Sequence, residues 1–195
     1  FLGLCSHEYF HTWNVKRIKP AAFIPYDLSR ETHTDQLWAF EGITSYYDDL
    51  ALVRSGIIEP ASYLELLGQI ITRVWRGQGR YKQSVAESSF DTWTKFYKQD
   101  ESAPNTIVSY YSKGSLIALA LDLTIQQITN NQKSLDDLMR LLWQEYGNQG
   151  KGLAEKEIEK LLSQIAGQDL TEFFANYLYG THDLPLDNLL RTVGI

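Results

Sequence analysis

The sequence has few of the features that mark disulfide-stapled, membrane-spanning or nucleic-acid-binding proteins. Its 195 residues include a single cysteine, Cys5, so no disulfide can form within the chain. The net charge of −6 argues against nucleic acid as a partner, because such a partner requires a clustered basic surface. No apolar run approaches the ~18 residues of a membrane span. We therefore predict a soluble chain, cytoplasmic or periplasmic, and these absences leave its compartment and oligomeric state open.

Helical periodicity dominates the rest of the chain, and no strand alternation is strong. Apolar residues recur at helical spacing in seven segments, and we predict helices there: 3–18, 35–56, 60–77, from Thr106 onward, 134–147, 154–167 and 169–180. The fold class is accordingly mainly α, with about six to eight helices. On the first helix we expect Cys5 to be a small buried apolar residue. Residues 80–105 have no sustained period and form a candidate substrate-facing segment.

The stretch "CSHEYFHTWNVKR" carries two histidines four residues apart. On a helix this spacing places His7 and His11 on one face, where both imidazoles can bind one ion, with expected zinc–nitrogen bonds of ~2.0–2.1 Å. Glu8 lies about 100° around the helix from His7, too far to join the ligands easily but close enough to reach water bound to the ion. The pattern predicts a zinc site in which Glu8 is the general base.

A catalytic zinc site uses three protein ligands and leaves one position open, so two histidines leave it one ligand short. The candidates downstream are carboxylates, His33 and His182. Glu41 in "LWAFEGITSYY" lies beside an apolar helical stripe, where an unpaired carboxylate is costly to bury and metal ligation would remove that cost. We therefore predict Glu41 as the third ligand.

This set of residues suits metal-assisted amide hydrolysis. The ion would act as a Lewis acid on a scissile carbonyl and lower the pKa of its water, while Glu8 takes the proton and later delivers it to the leaving amine. A tyrosine hydroxyl at the start of a buried helix could stabilise the oxyanion. The stretch "SYYSKG" offers Tyr110 and Tyr111 for this role, and the residues alone do not decide between them.

Three stretches in this order, "HEYFHTWNVKRIKP", "LWAFEGITSYYDDL" and "YYSKGSLIALALDL", resemble the signatures of the glycyl aminopeptidase family. Members of this family are gluzincin zinc metallopeptidases that couple a thermolysin-like catalytic domain to a PDZ domain. The resemblance implies that His7, His11 and Glu41 bind one zinc ion and that Glu8 is the catalytic base. It also implies a role for Tyr111, because "YSKG" is similar to the "YEKG" pattern of aminopeptidase N enzymes, whose tyrosine stabilises the transition state.

One departure from the gluzincin pattern concerns the surroundings of the zinc ligands. The carboxylate that thermolysin carries four residues after its glutamate ligand is replaced here by Ser45. The partners that orient the zinc ligands therefore stay open at this point.

The resemblance also predicts the domain organisation. Residues 1–195 would be part of a catalytic domain, its zinc helix and helical C-terminal subdomain. A β-rich N-terminal part and a C-terminal PDZ domain are expected to lie outside this chain, and the isolated fragment is expected to bind zinc weakly and to be inactive.

The predicted function is a zinc-dependent aminopeptidase that releases small N-terminal residues, glycine or alanine, from peptides. Two alternatives remain: a thermolysin-like endopeptidase, and a catalytically silent zincin scaffold attached to a PDZ domain. An intact Glu8 counts against the scaffold, because a silent domain has no need of a base.

Overall fold

The computed structural model describes all of residues 1–195 and shows a mainly helical chain. The α-helices in chain order are α1 (Leu2–Phe10), α2 (Ile43–Arg54), α3 (Pro60–Arg76), α4 (Val85–Phe90), α5 (Ala103–Thr106), α6 (Ser112–Ile128), α7 (Leu135–Leu142), α8 (Glu157–Ala166), α9 (Thr171–Tyr177) and α10 (Leu186–Arg191). Three π-helical turns adjoin them, at Trp38–Gly42, Thr92–Phe96 and Trp143–Gly147, and two 3-10 turns span Ala21–Phe23 and Gln78–Tyr81. Two short strands, β1 (Lys19–Pro20) and β2 (Gly152–Leu153), pair in parallel, with Lys19 opposite Gly152.

The mainly α prediction is confirmed, and the seven helices of at least seven residues correspond to the seven predicted segments. Their ends follow the sequence signals in several places. Pro60 occupies the first position of α3, and Ser134 caps α7 in a reciprocal arrangement with Asp137. Gly167 ends α8 with a left-handed φ of 65°, a conformation that glycine adopts without strain. Three further short helices, α4, α5 and α10, lie in 80–105 and near the C-terminus.

The predicted span of the first helix, 3–18, is wrong, because α1 ends at Phe10. Beyond it the chain makes tight turns, in which Thr12 Oγ1 donates to the carbonyl of Tyr9 at 2.7 Å. The Asn14 side chain is buried and donates to the carbonyl of Ala39 at 3.0 Å and to Thr44 Oγ1 at 3.2 Å. Short polar side chains that bond nearby backbone compete with the helix in this way. The chain leaves the helix ten residues before Pro20, the stop that the sequence suggested.

Three smaller predictions also need correction. Cys5 is exposed rather than buried, since α1 contains no fully buried residue. The second predicted helix begins with the π-helical turn at Trp38 rather than at residue 35, and it ends at Arg54. The helix expected from Thr106 begins only at Ser112, after an extended residue at Ile107.

Helix α6 is the centre of the hydrophobic core, and twelve of its seventeen residues are buried. Helix α2 packs against α6 on one side and against α1 on the other. The π-helical turn before α2 approaches α6 closely at a glycine pair: a Cβ added to Gly42 would lie 2.7 Å from the backbone of Gly114. Glu41 directly precedes the first of these glycines, and Tyr111 lies one turn before the second. The close approach therefore brings two predicted site residues near each other.

No helix of the chain is both long enough and apolar enough to cross a membrane.

Candidate metal centre

The structure brings the three predicted metal ligands together. Glu41 Oε2 lies 3.3 Å from His7 Nε2 and 3.2 Å from His11 Nε2, and one ligand atom from each residue falls within 4.8 Å of the others. Ligand atoms around a tetrahedral ion with zinc–ligand bonds of ~2.0–2.1 Å are about 3.3 Å apart. Both distances from the carboxylate oxygen to the histidine nitrogens match this value, so the three atoms suit a zinc ion with a coordination position left for water.

Local structure explains why these side chains meet. His7 lies in the last turn of α1, and His11 follows at its C-terminal cap with helical angles of φ −61° and ψ −15°, so the one-turn spacing is kept. Glu41 lies in the π-helical turn, where the N–H of Ile43 bonds the carbonyl of Trp38, five residues earlier. Such turns occur within α-helices, often at functional sites, because they redirect side chains. The other four residues of this turn are buried, which fixes Glu41 at the edge of the core.

Each histidine also forms a hydrogen bond through Nδ1, the ring nitrogen that faces away from Glu41. His7 Nδ1 donates to Asp48 Oδ2 at 3.2 Å, and His11 Nδ1 donates to the carbonyl of Asn14 at 2.8 Å. Because both outer nitrogens donate hydrogens, both Nε2 atoms are the ones that face Glu41. This is the arrangement in which outer partners orient metal-binding histidines.

Asp48 is therefore the outer partner of His7, which the sequence had left open. Ser45 does not take this role. Asp48 lies in α2, seven residues or about two helical turns after Glu41, and so falls on the same side of the continuous helical segment that the π-helical turn and α2 form. That spacing was a readable signal. The role of the Asn14 carbonyl was not readable, because it depends on the tight turn after α1.

Hydrogen bonds within the site favour the charged forms of His7, His11 and Glu41, whereas burial opposes them. Burial acts to lower the pKa of His7, but the hydrogen bonds to Asp48 and Glu41 outweigh it and raise that pKa to about 9. Burial likewise opposes, and the hydrogen bond to Glu41 favours, the charged form of His11, whose pKa is raised. Burial acts to raise the pKa of Glu41, but hydrogen bonds from the two histidines hold it below its usual value. A bound cation would replace protons that the three residues otherwise share.

An open cavity of about 660 Å³ lies over the three predicted ligands. It is lined by His7, Glu8, His11, Glu41, Asp48 and Tyr111, together with Leu4, Val15 and Lys16. Glu8 is exposed at its edge, next to His7 on α1. The ring of Tyr111 lies 6.3 Å from that of His7, at an interplanar angle of 28°. The predicted base and the predicted tyrosine thus face the same space as the ligands.

The two tyrosines left open by the sequence have different environments. Tyr110 is 1% exposed, and its hydroxyl lies 2.8 Å from Thr92 Oγ1. Tyr111 is partly buried and lines the cavity. Burial is the main cause that raises the pKa of Tyr111, with further contributions from Tyr97 and Glu41, so its hydroxyl keeps its proton at neutral pH.

The other histidines do not join the site. His33 Nδ1 donates to the carbonyl of Phe90 at 2.8 Å, and His182 is exposed in the segment before α10. Neither belongs to the group of His, Cys, Asp and Glu residues close enough to hold a metal ion, which consists of His7, His11 and Glu41.

A mainly helical fold with two imidazoles and one carboxylate converging beside an open cavity defines the chain as a candidate metal-binding domain. The family model of the M61 glycyl aminopeptidases matches residues 1–117, and the chain belongs to this family. The match covers the predicted ligands, Glu8 and Tyr111, and so confirms the resemblance seen in the sequence.

A solved structure is similar to the chain over its whole length. The chain is similar to the crystal structure of an aminopeptidase N family protein from Idiomarina loihiensis, with 50% sequence identity and a TM-score of 0.96. The similarity covers 100% of this chain and 33% of that protein, so the chain spans about one third of its relative's length. No curated protein matches the sequence significantly.

Proposed function

We propose that this chain carries the metal centre of a zinc-dependent aminopeptidase that releases small N-terminal residues, glycine or alanine, from peptides. The observation that carries the proposal is the spacing of three donors, His7 Nε2, His11 Nε2 and Glu41 Oε2, with both histidines held from behind. Membership of the glycyl aminopeptidase family supports the reaction and the substrate class.

A bound zinc ion would supply Lewis acidity and make water more acidic at neutral pH. Glu8, beside His7 at the cavity edge, takes the proton as the water oxygen adds to the scissile carbonyl carbon. The same carboxyl then gives this proton to the amide nitrogen as the carbon–nitrogen bond breaks. The products are a free amino acid and a peptide shortened by one residue.

Tyr111 completes the proposed mechanism. Its hydroxyl donates a hydrogen bond to the carbonyl oxygen as negative charge develops there. The protonated state described above is the one that this role requires. Tyr110 is assigned a packing role next to Tyr111, because it is buried and its hydroxyl is paired with Thr92.

The domain organisation is part of the proposal. Residues 1–195 would form the zinc helix and helical subdomain of a larger catalytic domain, accompanied in the full-length protein by a β-rich part and a PDZ domain. The 33% share of the structural relative is consistent with this organisation. The function is therefore to be tested on the full-length protein.

The decisive experiment compares wild type with Glu8→Gln on glycyl and alanyl arylamides and on an N-terminally blocked peptide. Loss of the general base is expected to lower kcat by about 10²–10⁴-fold with bound zinc unchanged. Glu65→Gln is the matched control, because Glu65 is exposed on α3. The activity of this variant should equal that of the wild type.

Each other outcome has a distinct meaning. Full activity of Glu8→Gln would contradict the proposed mechanism. Cleavage of the blocked peptide would favour an endopeptidase, and bound zinc without any hydrolysis would favour a silent scaffold.

A further inference from the structure

The segment between α4 and α5 carries an aromatic cluster, Trp93, Phe96 and Tyr97, which packs next to Tyr111. We propose that Tyr97 in this cluster is a positioning residue: when substrate is bound, its hydroxyl donates to the Tyr111 oxygen and so directs the Tyr111 hydrogen toward the substrate's oxyanion. This inference rests on the proposed function, because it assigns Tyr97 a role in that reaction.

The two hydroxyl oxygens lie 3.5 Å apart. This distance is at the long end of the hydrogen-bond range, and catalytic hydrogen bonds commonly tighten only when substrate is bound. The Tyr97 hydroxyl is thus within reach of the group that the mechanism uses, although the two residues are fourteen positions apart in the chain.

A π-helical turn places Tyr97 there. In the turn Thr92–Phe96, the N–H of Tyr97 bonds the carbonyl of Thr92 at 3.0 Å, five residues earlier. The consecutive residues Phe96 and Tyr97 then both contact the tyrosine pair before α6. The ring of Phe96 lies 4.6 Å from that of Tyr110 and 5.8 Å from that of Tyr111. This packing fixes the backbone that carries Tyr97.

The role of Tyr97 follows from the number of hydrogen bonds that the Tyr111 hydroxyl can form. A tyrosine hydroxyl has one hydrogen to donate and lone pairs that accept. If Tyr111 donates its hydrogen to the oxyanion, its oxygen can accept one from a neighbour, and a hydroxyl that accepts becomes a better donor. The Tyr110 hydroxyl also has a partner in Thr92, 2.8 Å away on the buried side. The Tyr97 hydroxyl, 3.5 Å from the Tyr111 oxygen, is the neighbour on the exposed side.

Exposure makes the idea testable by a mild substitution. Tyr97 is 59% exposed, so Tyr97→Phe removes one hydroxyl without leaving a buried polar group unpaired. The ring itself, which lies 6.0 Å from that of Trp93, is retained. The variant should therefore fold, bind zinc and melt like wild type.

The test is a double-mutant cycle in the full-length, zinc-loaded protein with an alanyl arylamide as substrate. Tyr97→Phe is expected to lower kcat about five- to tenfold, the worth of one hydrogen bond, with KM within about twofold of wild type. Tyr111→Phe should lower kcat further, and adding Tyr97→Phe to it should change nothing more. The control is Tyr26→Phe, which removes a similarly exposed hydroxyl and should match wild type.

Three results would overturn the proposal: unchanged kcat in Tyr97→Phe, a rise in KM alone, or the same loss of kcat with and without the Tyr111 hydroxyl. The outcomes separate this inference from the proposed function. An active wild type that loses activity in Glu8→Gln but not in Tyr97→Phe would overturn the Tyr97 role alone. A zinc-loaded wild type that hydrolyses no amide would contradict both.

Discussion

Helix α1 and the helix pair α2 and α6 supply opposite halves of one site, but the core holds them very differently. Helix α1, which carries His7, has no fully buried residue. Glu41 instead lies in a turn whose other four residues are buried, and Tyr111 precedes the most buried helix of the chain. The carboxylate and the tyrosine are thus fixed by packing, whereas the histidines depend on a few specific contacts.

Those contacts cross from α1 and its following turn to α2. Phe10 stacks on Tyr47 with ring centroids 5.0 Å apart, His7 bonds Asp48, and the buried Asn14 side chain bonds the backbone near Glu41. A metal ion bound by His7, His11 and Glu41 would join the same two regions. Metal binding and the docking of α1 should therefore stabilise each other.

The largest expected effect comes from changing Glu41, the proposed ligand on the core side. Glu41→Gln should lower zinc affinity by more than the about 100-fold that loss of an outer partner can cost, because a direct ligand is lost. Competition with a chromophoric chelator measures the affinity, and Glu65→Gln serves as the control. Affinity within threefold of wild type would show that Glu41 is not a ligand.

A smaller loss should follow when only the link between the regions is changed. Asp48→Asn keeps the size of the side chain but removes the charge behind His7, and zinc affinity should fall about 10–100-fold. Asp49→Asn is the matched control, since the neighbouring carboxylate does not bond His7. Equal effects of the two variants would mean that general acidity, rather than the Asp48–His7 hydrogen bond, supports the site.

The packing that fixes Glu41 and Tyr111 can be tested at the contact between Gly42 and Gly114. Gly42→Ala would place a methyl group 2.7 Å from the Gly114 backbone, which cannot move aside as a flexible side chain would. The free energy of unfolding should fall by about 1–3 kcal/mol in urea denaturation.

Gly68→Ala provides the contrast, because an added Cβ there meets nothing within 4 Å. It lies inside α3 and should raise the free energy of unfolding by about 0.5–1 kcal/mol. Similar stability of both variants would contradict the close packing of the Trp38–Gly42 turn on α6.

Much of the candidate site was readable because helical spacing and ligand chemistry are local properties. The pair His7 and His11 followed from their spacing, and Glu41 from the cost of burying a lone carboxylate in an apolar segment. Asp48 was equally readable, two turns after Glu41 on the same helix face, but the prediction stopped at the position of Ser45.

Features set by contacts between distant segments were not readable. The early end of α1 depends on Asn14 reaching across to Ala39, and the π-helical turn at Glu41 lies beside the glycine contact with α6. The rings of Tyr110 and Tyr111 stack with centroids 4.7 Å apart, and tertiary packing decides that Tyr111 lines the cavity while Tyr110 is buried. The same limit hid Tyr97, which comes from a segment without any periodic pattern.

The most direct test of the central claim is an anomalous-diffraction map at the zinc absorption edge from crystals of the full-length protein grown with one equivalent of zinc. We expect one peak at about 2.0–2.2 Å from His7 Nε2, His11 Nε2 and a carboxylate oxygen of Glu41. A zinc peak bound by other residues, or no peak in protein that still hydrolyses alanyl arylamides, would contradict the account.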